Sequence, residues 1–439
     1  MKITFLGAGS TVFCKNVLGD VLVTPSLCKN LEIALYDIDQ NRLEESYIIV
    51  DLINKKYNDG KAVVNKFLGV EQRKDALAGA KFVVNAIQVG GYDPCTIIDF
   101  EIPKQFGLKQ TIGDTLGIGG IFRGLRTIQV MKEFAKDIEE VCPDALFLNY
   151  TNPMAILTGY MQRYTKVNTL GLCHSVQVCS KSLLETIGIE KEVEVGSELI
   201  AGINHMGWLL DIRDKDGNDL YPRIKQLAKK KNKEKHSNMV RLDYIDKFGF
   251  YCTESSEHNA EYNPYYIKSK YPELIEQFNI PIDEYLRRCV DQIAGWENQK
   301  HELLNSGNIE HTRSHEYASR IMEAIVTNTP YKIGGNVINN GLIENLPNDA
   351  CVEVPCLVDG YGIHPTKVGK LPPQLAAMNI TNVNPQLLTI EAASTGKKEH
   401  IYHAAMLDPH TASELSLDDI IKMCDALIKA HEEAGYPVL

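Results

Sequence analysis

A short apolar run, Ile3 to Leu6, ends in Gly7-Ala8-Gly9-Ser10. Glycines at such a point let the chain turn tightly and let the phosphates of a ligand approach the backbone. A helix starting there offers free N–H groups and the positive end of its dipole. Val12, Phe13, Val17, Val21 and Leu22 fall at three- and four-residue spacing, which predicts that helix. A second apolar run, Leu31 to Tyr36, ends in Asp37, placed to accept hydrogen bonds from ribose hydroxyls and so to favour NAD over NADP. Gly7, Gly9, Ser10, Thr11 and Asp37 are therefore candidate dinucleotide contacts. Val12 occupies the third position of the usual Gly-x-Gly-x-x-Gly, so the turn alone is a weak signal. The order strand, turn, helix, strand, acid carries the reading.

The elements that must position these residues recur along the first half. Lys81 to Ile87, Leu146 to Tyr150 and Thr169 to Leu172 read as further strands, and Ile128 to Val141 as a helix. Strands alternating with helices predict a Rossmann-like, doubly wound parallel sheet, with ligands beyond the carboxyl ends of its strands. The strands run out into Gln88-Val89-Gly90-Gly91, Thr151-Asn152-Pro153 and Cys173-His174-Ser175, which should converge on one cleft. Gln88 joins the candidate cofactor contacts. Taken alone, Cys173 reads as a small buried hydrophobe and His205, near Trp208, as a hydrogen-bonded core residue.

Composition sets the limits. A chain of 439 residues predicts two domains or one large fused unit. A net charge of −11 argues against nucleic acid or an anionic membrane as partner. No apolar run reaches the roughly 18 residues a membrane-crossing helix needs. The eleven cysteines lack framework spacing and the N-terminus carries no export pattern, so free thiols in a reducing cytoplasm are expected. The Lys-rich stretch from Lys229 to Lys235 reads as a solvated loop. Ser416 to Ala434 reads as an amphipathic helix, packed on the sheet or at a subunit interface.

Four segments carry a family resemblance: Gly7 to Phe13; Ile112-Gly113-Asp114-Thr115-Leu116-Gly117-Ile118-Gly119-Gly120, running on to Arg123 and Arg126; Asn149-Tyr150-Thr151-Asn152-Pro153-Met154; and Cys173-His174-Ser175-Val176 with Gly202-Ile203-Asn204-His205-Met206. Together they resemble glycoside hydrolase family 4, and the similarity continues through Thr253 to His258 and Cys351-Val352-Glu353-Val354. Cys-His-Ser-Val is similar to the pattern of the α-galactosidases of that family. One departure is Ile118, where proline is usual between the glycines.

The resemblance implies a mixed α+β catalytic domain (196–439) fused to the dinucleotide domain (1–195), and use of NAD+ and a divalent metal, Mn2+. It implies hydride removal from sugar C3, proton removal from C2, elimination of the C1 substituent, water addition and return of the hydride. Such a route lies outside the two-carboxylate scheme of ordinary glycosidases. Cys173 and His205 are then metal ligands, and Asn152, Asp114 and Arg123 substrate contacts. His174 is the acid for the departing oxygen, and Asp114 also supports the base. The base itself is assigned to Tyr262, with Glu257, His258 and Glu261 as alternatives. The expected substrate is an α-galactoside of the melibiose type and the expected assembly a homo-oligomer. Other specificities of the family, α-glucosidase or α-galacturonidase, are the neighbouring readings. The rival from another class is a 2-hydroxy-acid dehydrogenase, but the His-Gly dipeptide of those enzymes is absent here.

Overall fold

The computed structural model describes the backbone of residues 1–306 and 309–439, with side chains for 1–296 and 309–439. Twelve strands form one sheet. In chain order they are β1 (Lys2–Leu6), β2 (Glu32–Asp37), β3 (Val63–Leu68), β4 (Phe82–Asn85), β5 (Leu146–Asn149), β6 (Asn168–Gly171), β7 (Val195–Ile203), β8 (Met206–Asp214), β9 (Tyr251–Cys252), β10 (Tyr331–Ile338), β11 (Cys351–Asp359) and β12 (Gly362–Pro365). The spatial order is β3-β2-β1-β4-β5-β6-β10-β11-β7-β8-β9, with β12 on β11. The strands from β3 to β6 are mutually parallel. From β6 onward every pairing is antiparallel.

The order β3-β2-β1-β4-β5-β6 is that of a dinucleotide-binding sheet. Its strands are apolar at successive positions because helices cover both faces. Ile3, Phe5, Phe82, Val84, Leu146 and Leu148 share one core cluster. Leu6, Val83 and Phe147 point into the other. The first holds helices Thr11–Leu22 and Gln40–Tyr57, and the second helix Gly117–Val141.

The sequence reading misses β3, an edge strand whose Val-Val-Asn-Lys-Phe-Leu is half-exposed and lacks clean alternation. The helix expected from Ile128 begins at Gly117, because its glycine-rich first turns hide the apolar period. The C-terminal helix is Leu417–Glu433, capped by Ser416, whose side chain accepts from the Asp419 N–H. Ile420, Met423, Cys424 and Leu427 bury its apolar face in the second core cluster with Phe122, Leu125 and Ile128. Its main packing partners are helices Ile97–Gln105 and Lys398–Leu407, where the sequence pointed to the sheet or a subunit interface. Among the described residues no helix is long and apolar enough to cross a membrane. All eleven cysteines are free.

Candidate active site

The turn after β1 is built around two glycines. Gly7 has φ +82°, and a Cβ there would lie 2.8 Å from the carbonyl carbon of Ala86, so no other residue fits. The Gly9 N–H donates to Asp37 Oδ2 at 2.5 Å, and the Asp39 N–H donates to Asp37 Oδ1 at 2.9 Å. Asp37 thus ends β2 as expected and also braces the turn. Ser10 precedes helix Thr11–Leu22 without capping it by a side-chain hydrogen bond, so the first-turn N–H groups carry no side-chain partner. Thr11 is buried and its hydroxyl lies 3.2 Å from that of Ser46, leaving its backbone N–H as the group a ligand can use. Val12 is 50% exposed, so the third glycine, which serves close helix–strand packing, is not required. Gln88 is exposed in the loop after β4.

A second constellation lies where β6 runs out. Cys173 follows β6 directly through Leu172. His205 occupies the second position of the two-residue turn between β7 and β8, with φ +63°, a region histidine visits more readily than most residues. Glu254, with φ +64°, follows β9. One ligand atom from each of Cys173, His205 and Glu254 lies within 4.8 Å of the others. The His205 Nδ1 is 3.0 Å from the Tyr262 hydroxyl, which leaves Nε2 facing Glu254 at 3.3 Å. Burial pulls the His205 imidazole pKa down, but Glu254, Cys173 and Asp114 outweigh it and raise it to about 10. Burial works against ionisation of Glu254 as well, yet His205 and His258 hold its carboxyl below the ordinary range.

The loop Thr111–Leu116 brings Asp114 to this group. Glu261 clamps it by accepting from the N–H groups of Thr111 at 2.7 Å and Gly113 at 2.8 Å. Gly119 and Gly120 let the first turn of helix Gly117–Val141 lie against the loop. A Cβ on Gly119 would sit 2.2 Å from the Gly113 carbonyl oxygen, and one on Gly120 2.6 Å from Thr115. Asp114 Oδ1 is 3.7 Å from His258 Nε2. Burial pushes the Asp114 carboxyl up, but the neighbouring imidazole of His258, then Arg123 and His205, hold it far below the usual range. Arg123 is buried on that helix and donates to the Tyr285 hydroxyl at 3.3 Å.

Tyr262 is fully buried, with its hydroxyl on His205. Burial, then Asp114, Glu261 and Glu254, raise its pKa well above the ordinary value. Of the other base candidates, Glu261 is the loop clamp and Glu257 pairs with Arg288. His258 remains beside Asp114 and Glu254, its Nδ1 2.7 Å from the Ser255 hydroxyl.

His174 opens helix His174–Ile187 and keeps its ring half-exposed, beside Tyr150. Its Nε2 is 2.6 Å from Glu316 Oε2. Burial lowers its pKa, but the Glu316 hydrogen bond and charge prevail and raise it. Asn152 follows β5 beside a cis bond to Pro153, and its Oδ1 is buried without a protein partner. An unpaired buried amide oxygen is costly and marks a place where a ligand donor fits.

The structure therefore brings Cys173, His205, Asp114, Arg123 and Tyr262 together, with His174 adjacent. The sequence reading did not single out Glu254 as a ligand or Glu316 as a partner. Glu254 lies inside the segment Thr253–His258, which was visible. Glu316 lies in a stretch with no periodicity, and its place depends on folding.

Residues 2–189 match the family 4 glycosyl hydrolases, and residues 200–411 match the family 4 glycosyl hydrolase C-terminal domain. The chain belongs to glycosyl hydrolase family 4. It is 60% identical to an alpha-galactosidase of Bacillus subtilis (strain 168), over 98% of both chains. It is 34% identical to an alpha-galactosidase of Rhizobium meliloti (strain 1021), over 98% of this chain and 88% of that one. In fold it resembles a 6-phospho-alpha-glucosidase from gut microorganisms solved with NAD and Mn2+, with TM-score 0.80, 20% identity and 98% of each chain covered.

Proposed function

We propose that this protein hydrolyses α-galactosides by an NAD- and metal-dependent route, with residues 1–195 as the dinucleotide unit and 196–439 as the catalytic unit. The observation that carries the reading is the grouping of Cys173, His205 and Glu254 at the carboxyl edge of a dinucleotide-type sheet. The relative at 60% identity, an alpha-galactosidase, supports the choice of sugar.

The residues fit both groups. The uncapped first turn of helix Thr11–Leu22, with Gly7 and Gly9 before it, suits a diphosphate, and Asp37 suits a ribose. A thiol, an imidazole nitrogen and a carboxylate suit a divalent ion that keeps open positions for sugar oxygens. When bound, NAD+ supplies a hydride acceptor and the metal a Lewis acid. The protein's own groups do the rest. Asp114, kept ionised by His258 and Arg123, accepts from sugar hydroxyls, and Asn152 Oδ1 accepts from another. His174, held by Glu316 and carrying a raised pKa, keeps a proton for the departing oxygen. Tyr262, whose hydroxyl meets His205 Nδ1, would take the C2 proton as a phenolate, a form that the charge of a divalent ion held by the triad would favour against the burial and carboxylates that otherwise keep it protonated. His258 stands beside Asp114.

The test is turnover of a nitrophenyl α-galactoside in deuterated water with NAD+ and Mn2+. The galactose released should carry deuterium at C2 and none at C3, with no accumulation of NADH. Tyr262→Phe should abolish the deuterium uptake, whereas His258→Asn should slow turnover and preserve it. Protium retained at C2 with turnover independent of NAD+ would overturn the proposal.

A further inference from the structure

The segment Cys351-Val352-Glu353-Val354 has no place in the chemistry above, yet it holds a fully buried carboxyl beneath the site. Glu353 on β11 is 1% exposed. It lies in a row that crosses five strands: Gly171 on β6, Asn336 on β10, Glu353 on β11, Gly202 on β7 and Gly207 on β8. Two of the three glycines, Gly171 and Gly207, leave space that the two polar side chains fill. A Cβ on Gly171 would be 2.8 Å from Asn336 Cβ, and one on Gly207 3.3 Å from Glu353 Oε2.

Each of the three ligand-bearing segments is tied to this row. Asn204, the neighbour of His205, donates its Nδ2 to Glu353 Oε1 at 3.4 Å. Asn336 Nδ2 donates to the same oxygen at 3.0 Å and to the Gly171 carbonyl at 3.3 Å, two residues before Cys173. Gly207, against the other carboxyl oxygen, exchanges hydrogen bonds with Thr253, the residue before Glu254. The Thr253 N–H donates to the Gly207 carbonyl at 2.7 Å, and the Gly207 N–H donates to the Thr253 hydroxyl at 3.0 Å. We propose that Glu353 is a positioning residue for the metal site, a buried strut that fixes the spacing of Cys173, His205 and Glu254 through Asn336, Asn204 and the Gly207–Thr253 pair.

The strut works through hydrogen-bond geometry and not through charge. Its Oε1 is the shared acceptor, while Oε2 has no protein partner and neither do the Oδ1 atoms of Asn204 and Asn336. An amide offers the same acceptor oxygen. Partners of this kind, which orient ligands without touching the ion, change metal affinity about 10- to 100-fold when removed.

The inference rests on the metal reading of the triad, so Cys173→Ser serves as its reference. Chelator-treated full-length protein is titrated with Mn2+, free Mn2+ is followed by electron paramagnetic resonance, and NAD+ affinity is measured in parallel. Glu353→Gln should keep the Mn2+ dissociation constant within about threefold, whereas Glu353→Leu should weaken it on the order of 10- to 100-fold. NAD+ affinity should stay unchanged, which a general loss of structure would not allow. Asn204→Ala removes one arm and keeps the carboxyl, and it decides the matter if the leucine variant does not fold. Its Mn2+ affinity should fall about tenfold. If Cys173→Ser itself binds Mn2+ normally, the metal reading fails. If Cys173→Ser loses Mn2+ while Glu353→Leu and Asn204→Ala keep it, the strut is refuted. Equal loss in Glu353→Gln and Glu353→Leu would refute it too, since charge would then be the cause.

Discussion

Gly119→Ala adds one methyl group at the seam between the Asp114 loop and helix Gly117–Val141. That carbon would lie 2.2 Å from the Gly113 carbonyl oxygen, 3.0 Å from Gln110 Oε1 and 3.1 Å from the Gly113 carbonyl carbon. Two of the three obstacles are backbone, so no rotamer change relieves the contact. Restoring an ordinary separation moves the loop by about 1 Å, and a misplacement of that size at a reacting centre costs roughly 100-fold in rate. Asp114 is the next residue after Gly113 and travels with it. The loop cannot absorb the shift freely, because Glu261 holds its N–H groups at 2.7 and 2.8 Å. The expected result is a fall of kcat/KM on a nitrophenyl α-galactoside by about 100-fold, or about 2.7 kcal/mol of transition-state stabilisation. Overpacking should also cost about 1–3 kcal/mol of stability in urea unfolding. Gly295→Ala is the control: a Cβ there meets nothing within 4 Å, it lies inside a helix, and it should stabilise by about 0.5–1 kcal/mol with activity unchanged. A Gly119→Ala enzyme with kcat/KM within about threefold of the parent would show that the loop's position does not control catalysis.

Cys173→Ser should keep the fold and NAD+ affinity but lose nearly all activity, with Mn2+ affinity down at least tenfold by titration; activity that survives chelator treatment in the parent protein would count against the site. Asp99→Ala should lower unfolding free energy by about 3–5 kcal/mol in urea, because Arg126, with a side chain 1% exposed, would lose the carboxylate it grips at 2.7 and 3.0 Å. Burial raises Glu353 from 4.5 to about 7, so the folded protein binds the proton more tightly than the unfolded chain. Its share of stability is full below about pH 4.5 and is lost as pH rises through 7, which Glu353→Gln should abolish. Urea melts of chelator-treated protein at pH 5 and pH 7.5 should therefore differ less in the glutamine variant than in the parent.

The sequence by itself determined the parallel half apart from its edge strand β3. Apolar runs ending in Gly7, Asp37, Gln88, Asn152 and Cys173 named the strands and their polar exits, because strand propensity and turn chemistry are local. Cys173, His205 and Asp114 were named through the family resemblance of the short segments that carry them, since Cys173 and His205 taken alone read as core residues. The tertiary structure decided the rest. β10 and β11 come from the second half of the chain and extend the sheet from β6, so that β7 follows β11 and not β6. That non-local pairing sets Glu353 beside Asn336 and puts His205 next to Glu254 and Cys173. Glu316 reaches His174 across 142 residues of chain. Glu261, a base candidate by type alone, became a loop clamp once its carboxylate met three N–H groups of Thr111, Ile112 and Gly113. Side-chain type and local period are written in the sequence. Which buried carboxylate faces a proton donor, a backbone or an open cleft depends on contacts between distant segments, and only the folded chain fixes those.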